Sequence, residues 1–180
     1  MKSAPQCSSE GSRSHRGGFT LIEILIVVII LGILAGIMVP QLSNASSAAR
    51  ESTLHEDLRY LRTQVGCFKY QHRDVPPGYP SGDITATPDE TTFLDQMTRY
   101  SDELCNTSTT QSTVYRLGTY LTKMPPNPIN GKTGVWVVDG ATMPAADESK
   151  PFGWIYNPTL QKVQVNLAGR DSGGTAYASY

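Results

Sequence analysis

GGFTLIEILIVVIILGILAGIMVP, residues 17–40, decides how the chain is read. Residues 24–39 within it are 16 consecutive Ile, Leu, Val, Gly, Ala and Met without a polar side chain. Counted from Phe19, the apolar stretch is broken only by Thr20 and Glu23. At 1.5 Å per residue a helix of that length spans roughly 30 Å, the thickness of a bilayer's hydrocarbon core. The spacing therefore predicts a membrane-spanning helix over 19–40.

The flanks orient it. Lys2, Arg13 and Arg16 precede the apolar run against a lone Glu10, while Arg50, Glu51, Glu56 and Asp57 follow it. Positive residues stay on the cytoplasmic side, so the remainder of the chain is placed outside. The 180 residues suffice for one compact domain beside this segment, and a formal net charge of -1 offers no basic surface for nucleic acid. A second reading stays open: small residues at Ser46 and Ala48 suit a signal peptidase, which would release residues 49–180 as a soluble binding domain. The apolar run exceeds the 7–15 residues of an ordinary secretory signal core.

The junction combines Gly18 before Phe19, a carboxylate at the fifth position after that break (Glu23), an unbroken apolar run, and Pro40 at the twenty-second position. In these features the chain resembles the type IV prepilins and the type II secretion pseudopilins. The resemblance implies cleavage between Gly18 and Phe19 by a membrane-embedded prepilin peptidase, followed by N-methylation of the Phe19 amine. It also implies assembly with copies of itself and related minor subunits on an inner-membrane platform. The product would be a periplasmic pseudopilus serving protein secretion, or a surface pilus serving adhesion, motility or DNA uptake, with extension driven by a cytoplasmic motor. Four segments follow: a leader (1–18), a transmembrane assembly helix (19–40), an amphipathic helix (41–73) and a globular head (74–180) in the periplasm.

A carboxylate within a membrane helix costs about 2.5–3.5 kcal/mol even on the lenient insertion scale, so Glu23 calls for compensation. The Phe19 amine created by cleavage lies one helical turn away. In the family the pairing is proposed between neighbouring subunits, Glu23 of an incoming chain meeting the Phe19 amine of the last one added. The simpler alternative is a glutamate that snorkels to the cytoplasmic interface. Gly32 and Gly36 form a GxxxG pair, which lets helix backbones approach closely in lipid. Pro40 lacks the amide proton of an interior helical residue, so a kink or local loss of helix is expected around 36–40.

Beyond Pro40, Leu54, Leu58, Leu61, Val65 and Phe68 recur at spacings of four and three, with most charges off that stripe. This is an amphipathic helix lying on a head, closed by the prolines and glycine of residues 74–80. Residues 81–124 read as a connecting region with a short helix around Glu90 to Leu104 and an unstructured NTSTTQST stretch. PPNPING (125–131) reads as a rigid turn. GVWVVD, GWIYNP and KVQVNL read as three short strands, and Lys162–Leu167 alternates polar and apolar with the period of a half-buried strand. Their order suggests an antiparallel sheet, with residues 157–160 closing a hairpin. The fold class is α+β: a long N-terminal helix packed on a small antiparallel head. The last dozen residues, rich in Gly and Ser, read as a loop with little to bury.

The second half, through YLRTQVGCFKYQHRDVPPGYP and YLTKMPPNPING, resembles the major pseudopilins. That likeness implies a calcium loop near the C-terminus with several aspartates, but here only Asp171 lies in AGRDSGGTAYASY. Asp139, Asp147 and Glu148 could add oxygens from another loop, although solvated surface carboxylates are the simpler reading. Cys7 falls in the leader. Cys67 and Cys105 form an even pair on the exported side, which invites a disulfide, two buried free thiols being the alternative. His55 and His72 stand alone, and no GxSxG, phosphate loop or CxxC occurs. The chemistry expected is assembly rather than catalysis.

Overall fold

The computed structural model describes Gly18 and residues 20–180. Residues 1–17 of the leader, with Cys7, and Phe19 lie outside the described residues. By contacts the chain divides into a unit ending at Ser43 and a unit running from Asn44 to Tyr180.

One helix, α1 (Leu21–Gln71), runs through both units. Its first part is unaccompanied: the large apolar side chains from Leu21 to Leu42 are all exposed, from 46% at Val27 to 86% at Leu21. The helical assignment continues through Pro40, so the expected local loss of helix around 36–40 does not occur. A proline removes one backbone donor, and the turns on either side keep their own bonds.

In the second unit α1 carries the anticipated stripe: Leu54, Leu58, Leu61, Val65 and Phe68 are each at most 5% exposed. The helix ends in left-handed conformations at Arg73 and Asp74, followed by the proline turn. Asp89 then caps α2 (Glu90–Thr98), its carboxylate accepting from the Thr92 amide at 2.9 Å. α2 buries Phe93, Gln96 and Met97, an i, i+3, i+4 face. It stops short of the 90–104 span because Arg99 turns extended, and Leu104 is left exposed. The next stretch pairs as two short antiparallel strands, β1 (Tyr100–Ser101) and β2 (Thr107–Ser108), so part of NTSTTQST is ordered.

The main sheet has three strands in the order β3 (Gly134–Val137), β4 (Phe152–Asn157) and β5 (Lys162–Val165). β4 and β5 form the expected hairpin, with Gln161 left-handed at its turn. β3 and β4, however, are parallel, so the sheet is mixed rather than wholly antiparallel. Residues 138–151 are long enough to return the chain to the same end, which a parallel pair requires and a hairpin does not.

The PPNPING turn is docked rather than free. Asn127 is fully buried; its Nδ2 donates to the Gly153 carbonyl at 3.0 Å and its Oδ1 accepts from the Ile129 amide at 2.9 Å. Gly153 is required there, since a Cβ would lie 2.1 Å from the Lys132 carbonyl oxygen. Trp154 and Tyr156 of β4 and Val163 and Val165 of β5 close over the α1 stripe as one core, with Phe93 against Tyr156 at 4.7 Å between ring centroids.

Two expectations fail in this unit. Cys67 and Cys105 are free thiols, the first exposed and the second buried. Cys67 falls off the apolar stripe, between Val65 and Phe68, whereas Cys105 belongs to the head core. The last dozen residues also do more than loop: they end in a 3-10 turn (Tyr177–Ser179), and Tyr177 and Tyr180 pack against the core. The two tyrosines supply the apolar area that the surrounding Gly and Ser lack.

Candidate functional site: the N-terminal helix

Thr20 opens α1. Its carbonyl accepts from the amides of Glu23 (3.1 Å) and Ile24 (3.3 Å), and its hydroxyl accepts from the Glu23 amide at 3.3 Å. Thr20-Leu21-Ile22-Glu23 therefore has the order of a capping box, a signal carried by the sequence itself. Glu23 sits in the first turn, where a carboxylate also complements the positive end of the helix dipole. The glutamate thus has a local reason to be at the fifth position besides any intermolecular one.

Gly18 lies exposed and outside regular structure, so the peptide bond expected to be cut precedes the first helical residue. Gly32 and Gly36 leave open space within the chain: a Cβ at either would meet nothing within 4 Å. Gly32, Gly36 and the backbone of Pro40 share the segment whose apolar residues are exposed on every side. An apolar helix exposed all round requires lipid or other helices as its surroundings. By length and composition it can cross a membrane, a test that a signal sequence also passes.

The remaining candidates are dispersed. Asp139 Oδ1 accepts from the Gly140 amide and the Thr159 hydroxyl, both at 2.8 Å. Asp147 is bonded by Ser149, and Glu148 by the Ala168 amide at 2.7 Å. Asp171 is held within its own loop. Among the described residues no three His, Cys, Asp or Glu side chains come together as a metal-holding group. His72, isolated in sequence, is fully buried, with Nδ1 2.7 Å from the Phe68 carbonyl oxygen and Nε2 2.9 Å from Ser101 Oγ.

An uncovered apolar helix, capped at Thr20 and running on as one helix into an α+β head, is the arrangement expected of a prepilin-like chain. Residues 13–39 match the family described as the prokaryotic N-terminal methylation motif, which bears out the resemblance read from GGFTLIE. The chain is 36% identical over 64 residues to the type II secretion system core protein G of Pseudomonas aeruginosa, covering 36% of this chain and 45% of that protein. It is 31% identical over 62 residues to the competence protein ComGC of Halalkalibacterium halodurans, covering 34% of this chain and 61% of that one. A type IV major fimbrial protein, FimA, of Dichelobacter nodosus is 42% identical over 53 residues, 29% of this chain and 34% of the relative. The chain thus spans less than half the length of the core protein G relative. No solved structure matches.

Proposed function

We propose that the protein is a structural subunit of a type II secretion pseudopilus, cut after Gly18, methylated at Phe19 and polymerised through its N-terminal helix. The observation that carries this reading is the complete exposure of the apolar part of α1, on a chain bearing the methylation motif. In the precursor that segment resides in the inner membrane with the head in the periplasm; in the filament, neighbouring helices replace lipid. An unstructured Gly18 ahead of the helix suits a peptidase, which needs extended backbone. Glu23 then pairs with the Phe19 amine of a neighbouring subunit and sets the axial register. If Glu23→Ala were processed normally and still assembled, that pairing would be wrong.

The first experiment is mass spectrometry of the N-terminal peptide of protein taken from the membrane fraction of its native host. A start at Phe19 with one added methyl supports the reading. A start at Ala49 in a soluble protein overturns it in favour of an exported binding domain. The FimA relative favours one second reading, a type IV pilus subunit. Immunogold labelling of intact cells separates the two, since a pilus is reached from outside and a periplasmic pseudopilus is not.

A further inference from the structure

The loop after β5 lies where the likeness to the major pseudopilins implies a calcium site, and its chemistry does not fit one. Calcium takes six to eight oxygen lone pairs. Three carboxylates meet this loop, Asp171 from within it, Glu51 from α1, and Glu148, which accepts from the Ala168 amide at 2.7 Å; the oxygens of Asp171 and Glu51 all accept hydrogen bonds as well. Asp171 Oδ1 accepts from the Thr175 amide at 2.7 Å, and Oδ2 from the Tyr180 hydroxyl. Glu51 Oε1 accepts from the Ser172 amide at 2.9 Å and the Tyr177 hydroxyl at 3.4 Å, while Oε2 accepts from the Ser172 hydroxyl. Each of the four Asp171 and Glu51 carboxylate oxygens thus already faces a hydrogen-bond donor.

The same contacts anchor the loop to α1. His55 stacks on Tyr180 at 3.9 Å between ring centroids, and the Arg62 guanidinium donates to the carbonyls of Val163 and Tyr180. Within the loop, Arg170 and Ala176 pair as a bridge and the Tyr177 amide reaches the Gly169 carbonyl at 3.2 Å. We propose that in this chain a carboxylate latch, Glu51 with the Ser172 and Tyr177 hydroxyls and Asp171 with the Thr175 amide and the Tyr180 hydroxyl, holds the C-terminal loop on α1 without a divalent cation. Charge-assisted bonds of this kind are about twice as strong as neutral ones. The Tyr180 hydrogen bond accordingly holds the Asp171 carboxyl below the usual carboxylate range. The latch stands on the head alone and does not depend on how the chain polymerises.

Hydrogen exchange of the full chain in detergent micelles tests it, read on the peptide covering 169–180 with 152–165 as an internal control. Wild-type protein should exchange equally in EGTA and in millimolar calcium. Glu51→Ala should speed exchange in 169–180 by about tenfold or more while leaving the control peptide protected. Slower wild-type exchange in calcium than in EGTA overturns the proposal, as does unchanged exchange in Glu51→Ala. If Glu51→Ala also exposes the control peptide, Tyr180→Phe takes its place, since it removes one hydroxyl and keeps the packed ring. Faster exchange confined to 169–180 then supports the latch, and no change overturns it.

Discussion

His72 lies face to face on Phe68, the ring centroids 3.8 Å apart and the planes 12° from parallel, at the point where α1 gives way to the proline turn. The Phe68 carbonyl can only accept, so Nδ1 carries the proton and Nε2 accepts from the Ser101 hydroxyl. The ring therefore ties the last turn of α1 to β1 in its neutral form. Burial pushes its pKa below the ordinary 6.5, against the opposing pull of the Phe68 carbonyl and the Asp102 and Glu103 carboxylates.

A base with a lowered folded pKa is protonated first in the unfolded chain. Its contribution is complete above about pH 6.5 and is lost as pH falls from there through the lowered folded value. Urea midpoints of the wild type should drop between about pH 7 and pH 5, and His72→Gln should flatten that part of the profile. Parallel profiles for the two proteins would show that His72 does not titrate with unfolding.

Gln96 holds three segments together. Its Oε1 accepts from the Gly78 amide at 2.7 Å, and its Nε2 donates to the Tyr79 and Cys105 carbonyls at 2.9 and 3.2 Å. Gln96→Leu keeps the volume but orphans buried backbone groups, each worth about 1–3 kcal/mol. The variant should melt well below wild type, and below an exposed control such as Gln111→Leu. Equal melting temperatures would remove Gln96 from this role.

What the sequence disclosed and what it concealed divide along the range of the interaction. The Leu54–Phe68 stripe, the β4–β5 hairpin and the apolar helix are local patterns of period 3.6 or 2, and all three were readable. Gln96 and Glu51 act through partners 9 to 126 residues away, and His72 reaches Ser101 29 residues on, which no local pattern encodes. The parallel pairing of β3 was hidden for a similar reason, because strand direction depends on where residues 138–151 travel. Thr20 is different: the T-x-x-E order of a capping box is itself a local pattern, four residues long, that coincides with the membrane charge at Glu23.

The free cysteines give a simple chemical test. Burial pushes the Cys105 thiol up to about 11, and it sits in the core, while Cys67 is exposed on α1. Natively folded protein should take up one iodoacetamide, at Cys67, and Cys105 should react only after denaturation. Reductant should leave the melting temperature unchanged. A mass two hydrogens lighter before reduction would instead establish a bridge between them.

Gly32 and Gly36 separate the demands of folding from those of assembly. Both have ordinary helical conformations and open space where a Cβ would go, so nothing within a single chain requires glycine at either position. Replacing glycine by alanine in a helix interior favours the helix by about 1 kcal/mol, so intrachain physics alone would select against the pair. If the proposed filament brings helix backbones together at these positions, Gly36→Leu should leave the hydrogen exchange of the head unchanged and still be cleaved after Gly18. Its yield of sheared filaments should nevertheless fall severalfold, with Gly36→Ala intermediate, because the side chain's bulk rather than its helix propensity would set the effect. Wild-type filament yield from Gly36→Leu would mean that close approach occurs elsewhere on the helix, and that this glycine pair takes no part in assembly.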